Sequence, residues 1–442
     1  MTEPPAHGAE SATAEPGRSP NGATPALLAG SSLTPAAEPA TAPERVPVPL
    51  VEPREGVPDP VTTPAELAAG AGPVAVDAER ASGYRYGQRA YLVQLRRRGA
   101  GTVLIDPIPL PDLSALGAAI EDVEWVLHAA SQDLPCLAEL GMHPHTIFDT
   151  ELAGRLLGYE KVGLGAMVES QLGLTLEKGH SAADWSTRPL PHSWLTYAAL
   201  DVEELVELRD LLEDQLRRAG KLEWAREEFA AVAGAPPPAP RSEPWRRTSG
   251  IHRVRGRRAL AVVRGLWEAR DALARQRDIA PGRVLPDSAI VAAATANPAT
   301  AEELAALPVF SGRQQLRQLR RWFGAVAAAR ALPDDALPLS AVPSDGPPPP
   351  NRWADRDPDA AARLVAARAA LADLSARLSI PVENLLTPDL VRRLAWSPPD
   401  DSSPAGIGAV LAAGGARHWQ VELAAPVLAD AVKATASVVT DQ

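Results

Sequence analysis

A single cysteine, Cys136, stands in the 442 residues, so no internal disulfide framework exists and a reducing compartment suits the chain. No apolar run is long enough to cross a bilayer as a helix, which excludes a spanning segment of that kind. The opening Met1-Thr2-Glu3-Pro4-Pro5 has neither the basic nor the apolar region of a signal peptide, and a cytoplasmic protein without membrane partners is expected. A phosphate-binding Gly-x-x-x-x-Gly-Lys-Ser/Thr loop is also missing, since Gly220-Lys221 is followed by Leu222, and no nucleotide cofactor is expected. His143 and His145 lie near Cys136 but have no second cysteine, so zinc is not assigned. Gly163-Leu-Gly165 is half a dinucleotide fingerprint without a preceding strand, and reads as a loop opening a helix.

Positive charge is scarce overall, with a net charge of −11, which speaks against contacts to phosphate. The distribution reverses that inference. Between Arg241 and Arg258 seven arginines face one acid, Glu243. Proline is plentiful, with 45 residues, and its runs mark boundaries. Residues 1–45, rich in Ala, Pro, Gly, Ser and Thr, cannot bury enough surface to order and read as disordered. The rest divides into an α/β unit over 46–231, a Pro/Arg-rich linker over 232–252 and a helical unit over 253–335. A Pro-rich linker over 336–352 and a second helical unit over 353–442 follow.

In the α/β unit, Val74–Val76, Tyr91–Leu95, Thr102–Ile105 and Trp125–His128 read as strands, with a hairpin turn at Gly99-Ala-Gly101. Leu200, Leu205, Leu208, Leu211 and Leu212 follow helical spacing within one segment from Ser193 to about Leu216. The fold class is therefore a mixed sheet flanked by helices, followed by two all-α bundles. The bundles resemble each other: Ile279, Val284, Leu285 and Ile290 recur as Ile380, Leu385, Leu386 and Val391, displaced by 101 positions (380 − 279). Internal duplication is the economical explanation.

Three short patterns carry chemistry together. Asp77-Ala-Glu79 ends a buried strand, and i, i+2 spacing points both carboxylates to one face. Asp133 follows His128-Ala-Ala-Ser-Gln and enters a helix, where capping is its bland alternative. Asp149 opens the next helix and is assigned to capping. Tyr197 and Asp201, at i, i+4, share one helix face. Four converging acids would repel one another and stay partly protonated unless cations neutralised them. Purely carboxylate ligands suit two divalent ions, Mg²⁺ or Mn²⁺, of the kind that clamp a phosphodiester displacement.

With these residues, and through Phe148-Asp149-Thr150, Asp184–Leu190 and Tyr197–Val202, the sequence resembles the ribonuclease D family of the DEDD exonucleases. The resemblance implies a ribonuclease H-like fold and 3′→5′ hydrolysis of RNA ends to nucleoside 5′-monophosphates. It implies that Asp77, Glu79, Asp133 and Asp201 are catalytic metal ligands and that Tyr197 orients the attacking water. The sister branch has histidine where Thr196 stands, so Tyr197 places the chain in the tyrosine branch. The helical units resemble HRDC domains, the second degenerately. The substrates implied are 3′ ends of tRNA precursors and other small structured RNAs, met by a monomer. Candidate RNA contacts are His128, Lys178 and Arg188 near the site, and Arg246, Arg247, Arg253, Arg255, Arg257 and Arg258 at the basic junction, with Arg313, Arg317, Arg320 and Arg321 behind them. An α/β unit ending near Ala235 is expected to cleave short oligonucleotides alone. A DNA exonuclease and a non-catalytic RNA-binding scaffold are the rival readings.

Overall fold

Strand β1 (Ala71–Arg80) runs through the centre of a five-stranded sheet of order β3-β2-β1-β4-β5. β2 (Ala90–Arg98) and β3 (Gly101–Ile105) extend it antiparallel as a hairpin, while β4 (Trp125–Leu127) and β5 (Ile147–Asp149) extend it parallel. The computed structural model describes residues 67–440 apart from 178, 181, 238 and 342–345. The disorder expected over residues 1–45, the start of the α/β unit and Lys178 therefore lie outside the described residues.

Side-chain alternation along β1 decides where the chemistry goes. Val74, Val76 and Ala78 enter the larger core, while Ala75 packs on the opposite face with Val126, Val202, Leu205 and Val206. Asp77 and Glu79 share the face of Ala75. Helices α1 (Ser114–Ala119), α2 (Leu134–Ala138), α3 (Thr150–Leu157) and α4 (Leu164–Leu172) follow in the chain. Next come α5 (His192–Glu203), α6 (Leu205–Arg218) and α7 (Leu222–Ala233). The single helix expected from Ser193 to Leu216 is thus two, broken at Glu204, whose φ of −106° and ψ of 8° leave the helical region. α5 lies over β1, β2 and β3, whereas α6 turns onto β1, β4, α3 and α4, and one straight rod would not follow the twisted sheet. Buried Glu203 anchors the break through Arg96 at 3.2 Å.

The first helical unit comprises α8 (Arg257–Arg277), α9 (Pro281–Val284), α10 (Asp287–Ala296), α11 (Ala301–Ala305), α12 (Arg313–Arg317) and α13 (Leu319–Ala331). The second comprises α14 (Trp353–Arg356), α15 (Pro358–Leu378), α16 (Val382–Leu385), α17 (Pro388–Trp396), α18 (Pro404–Ala413) and α19 (His418–Thr440). The 101-position echo recurs in the backbone. α15 and α16 have the bounds of α8 and α9 moved by that amount, and Asp278 and Ser379 end α8 and α15 in the same left-handed conformation.

Both linkers are shorter than expected. Trp245 is 3% exposed and packs in the apolar core of the first helical unit with Val254, Leu260 and Leu337. An indole placed there cannot belong to a solvated tether, so the chain from Pro244 onward is part of that unit. At the other linker, buried Trp353, where the second unit was expected to begin, donates its indole N–H to the Pro348 carbonyl at 2.7 Å and draws that residue onto the unit. A second expectation also changes. The core of the α/β unit continues through Ala225 and Phe229 into that of the second helical unit. There Trp419 stacks on Trp224 at 5.2 Å between ring centres and donates to Glu228 at 3.1 Å. An α/β unit cut near Ala235 would expose that shared surface to water.

Candidate active site

β1 brings Asp77 and Glu79 to the face that α5 crosses, and α5 supplies Asp201 and Tyr197 one turn apart. Carboxylate oxygens of Asp77, Glu79 and Asp201 lie within 4.8 Å of one another. Burial, then repulsion from Asp77, Asp201 and Asp133, pushes Glu79 up to about 10. Burial raises Asp77 and Asp201 as well. A set of hard oxygen donors that resists ionisation when left to itself fits divalent cations, which remove the repulsion. Tyr197 hydrogen-bonds Asp201, and burial with the neighbouring acids holds its phenol well above the ordinary range.

Asp133 stands just outside that trio. β4 leads through Ala129, held left-handed at φ 61°, into a short turn that ends at Asp133. The carboxylate makes no capping bond to α2 and pairs with Arg80 at 3.4 Å, so the capping alternative fails for this residue. Burial, then repulsion from Asp77, lifts it to about 8, opposed by Arg80. Asp149 does cap α3, accepting from the Leu152 N–H at 3.1 Å, and more besides. It also accepts from Ala129 and Ala130 at 3.1 and 2.9 Å, fixing the turn that presents Asp133.

Three neighbours escaped the sequence reading. Gln94, fully buried and opposite Asp77 in the β1–β2 register, donates to Asp77 at 3.3 Å. Its signal was there, as the polar residue interrupting the apolar run Tyr91–Leu95. Arg80 also donates to the Gln132 carbonyl at 2.8 Å and so sits between β1 and the Asp133 turn. His180 meets the Tyr197 ring edge-on at 5.7 Å. An open groove of about 1090 Å³ leads away from Tyr197 and Asp201 past Lys161 and Gly163, just ahead of α4, and Glu169 within that helix.

The residues considered for RNA contact separate sharply. Arg188 is spent inside the domain: it pairs with both oxygens of Asp106 and donates to the carbonyls of Tyr91, Trp185 and Thr187. It braces the wall of the site and has no donor left for phosphate. His128 bonds Thr150 at 2.9 Å, and burial lowers its pKa to about 4, so it is a neutral group satisfying a turn. Arg246 pairs with Glu243 at 2.7 Å and lies over the Trp245 ring. Arg257 donates to Leu337 and Pro338, Arg258 to Arg330, Leu332 and Asp334, and Arg255 to His252. Arg246, Arg257 and Arg258 hold their own unit together, while Arg255 is exposed and bonds only within its own turn. Among the described residues Arg247 and Arg253 are exposed without polar partners, as are Arg313, Arg317, Arg320 and Arg321 around α12 and α13. The available positive surface therefore centres on α12 and α13 more than on the junction.

This fold, with an acid cluster of this kind on its central strand, defines a metal-dependent 3′→5′ exonuclease. A family model described as 3′-5′ exonuclease matches residues 61–217, one described as HRDC domain matches 259–326, and one described as 3′ to 5′ exonuclease C-terminal domain matches 346–432. Ribonuclease D of Gluconacetobacter diazotrophicus is 34% identical over 284 residues, which cover 62% of this chain and 71% of that protein. The structure of a protein from Bifidobacterium adolescentis is 39% identical with a TM-score of 0.78, covering 88% of this chain and all of that one. Escherichia coli RNase D, described as an exoribonuclease involved in structured RNA processing, is 26% identical with a TM-score of 0.61, covering 84% of this chain and 95% of that one. The chain belongs to the ribonuclease D family and is a metal-dependent 3′→5′ exoribonuclease. Its last helical unit matches a C-terminal exonuclease domain where a degenerate HRDC domain was expected, although its helices repeat those of the HRDC unit. Among the described residues no helix is long and apolar enough to cross a membrane.

Proposed function

We propose that this exoribonuclease trims the 3′ ends of tRNA precursors and other small structured RNAs in the cytoplasm, as a monomer, releasing nucleoside 5′-monophosphates. The observation that carries the reading is the convergence of Asp77, Glu79 and Asp201 beside Tyr197 at the head of an open groove. Asp77, Glu79 and Asp201 would hold the ions, joined by Asp133 once it leaves Arg80. Two divalent ions, Mg²⁺ or Mn²⁺, would supply the charge that stabilises the attacking and departing oxygens of the displacement. Tyr197 keeps its proton at neutral pH, so it orients water by donating a hydrogen bond and is not a general base. Gln94 steadies Asp77 from the neighbouring strand. The groove accepts the terminal nucleotides, with Lys161 exposed on its rim. Arg313, Arg317, Arg320 and Arg321 hold the body of the RNA by its phosphates. Parallel digestion of RNA and DNA oligonucleotides of one sequence tests the substrate class. Stepwise shortening of the RNA from its 3′ end is expected, and faster digestion of the DNA would overturn the assignment to RNA.

A further inference from the structure

Residues 81–89, which leave β1 directly after Glu79 and Arg80, are held from outside the α/β unit. Arg283 of α9 donates to the Gly83 carbonyl at 2.7 Å and lies over the Tyr84 ring at 4.0 Å. The Ala280 N–H reaches the Tyr84 carbonyl at 2.9 Å. Tyr86 packs against the core of the first helical unit and donates its hydroxyl to Asp271 of α8 at 2.9 Å. Its backbone N–H faces Asp278 at 3.3 Å. The same loop reaches in the other direction. Tyr84 donates to the Ala182 carbonyl at 3.3 Å, and Arg85 to Ser186 at 2.7 Å. Between these two contacts sits Trp185, fully buried, its ring 6.5 Å from that of Tyr197.

We propose that the first helical unit is a working part of the active-site wall, with Asp271 and Arg283 acting as positioning residues for hydrolysis. They hold the 81–89 loop, the loop holds 182–186, and that segment seats Tyr197 beside the acids. The inference rests on the reading of the acid cluster as the catalytic site and adds to it a role for a unit expected only to bind RNA. The physical ground is that a loop fixed by contacts from another unit loosens when those contacts go. Misplacement of a reacting group by about 1 Å costs on the order of 100-fold in rate.

The test uses the full chain with Arg283→Ala and Asp271→Ala and, as substrate, an RNA dinucleotide too short to reach α12 and α13. The expected result is a fall in kcat of about tenfold with KM changed less than about twofold, because positioning is lost and affinity is not. Hydrogen exchange should quicken in 81–89 and 182–186, while the thermal midpoint moves little. Tyr86→Phe, which removes only the hydroxyl that reaches Asp271 and accepts from Arg275, should shift kcat the same way by a smaller factor and guards against misfolding of the other two. Unchanged kcat on the dinucleotide in all three variants would overturn the proposal, as would unchanged exchange in the loop. Exchange needs no catalysis, so failure of the wild type to cleave the dinucleotide would count against the site reading alone.

Discussion

At the scale of single residues, the acids of β1 and α5 are held together against their own repulsion, and this has consequences for stability as well as activity. Glu79 and Asp133 are raised to about 10 and about 8, so the folded state binds protons more readily than the unfolded one. Their favourable contribution is full below the ordinary carboxylate range and is lost as pH rises through those values. Metal-free protein should therefore melt lower at pH 9 than at pH 5.5, and Mg²⁺ should recover the loss. Asp201→Asn should raise the metal-free midpoint at neutral pH by a few degrees, on the scale of about 2–4 °C per kcal/mol. The same variant should lose more than about 100-fold in activity, beyond the loss typical of residues that only support a metal ligand. Calorimetry with and without chelator checks the pair of effects, and an Asp201→Asn variant less stable than wild type without metal would contradict them. Tyr197→Phe keeps the ring against Trp185 and His180 and removes the donor. Its single-turnover rate should fall by about 10–100-fold with RNA affinity unchanged, the loss typical of a group that orients a metal-bound ligand, and an unaltered rate removes the phenol from the mechanism.

At the scale of elements, what the sequence made legible depended on whether a pattern was local. The i, i+2 pair on β1 and the i, i+4 pair on α5 were readable because strand and helix periods alone decide which side chains share a face. The break at Glu204 was not, because it answers to the twist of a sheet formed by distant segments. The arginines misled for a related reason. Composition counts charges, but only the fold shows that Arg246, Arg257 and Arg258 spend theirs on carbonyls and acids such as Leu337 and Asp334. Asp149 was read correctly as a cap, yet its hold on the Ala129–Ala130 turn joins residues about twenty positions apart and left no local trace. The redistribution of positive surface gives a test at this scale. Replacing Arg313, Arg317, Arg320 and Arg321 with Gln should weaken binding to a structured precursor and flatten its salt dependence, by about 0.7 in slope for each phosphate no longer neutralised. Replacing Arg246, Arg257 and Arg258 should instead lower stability, leaving the salt slope nearly intact. Filter binding across a salt series separates the two, and the reverse pattern would return the RNA surface to the junction.

At the scale of the whole molecule, the helical units pack into the nuclease fold and are not tethered appendages. The second shares a core with the α/β unit through Phe229, Trp224 and Trp419, and Lys221 ties the carbonyl ends of α3 and α15 together by bonds to Leu156 and Leu378. Trp419→Ala would open a cavity at that junction and leave Glu228 without its indole donor. A loss of about 3–5 kcal/mol is expected, read as a lower denaturant midpoint for the α/β unit itself. If the mutation destabilised only the last unit and left the rest unfolding as before, the shared core would not be one cooperative body. The central claim, that these carboxylates run 3′→5′ hydrolysis of RNA, is tested most directly on a 5′-labelled RNA oligonucleotide in Mg²⁺. Wild type and Asp77→Asn are followed side by side on a sequencing gel. The expected result is a ladder losing one nucleotide at a time from the 3′ end with wild type and an intact band with Asp77→Asn. Internal cuts, or equal trimming by the variant, would contradict it.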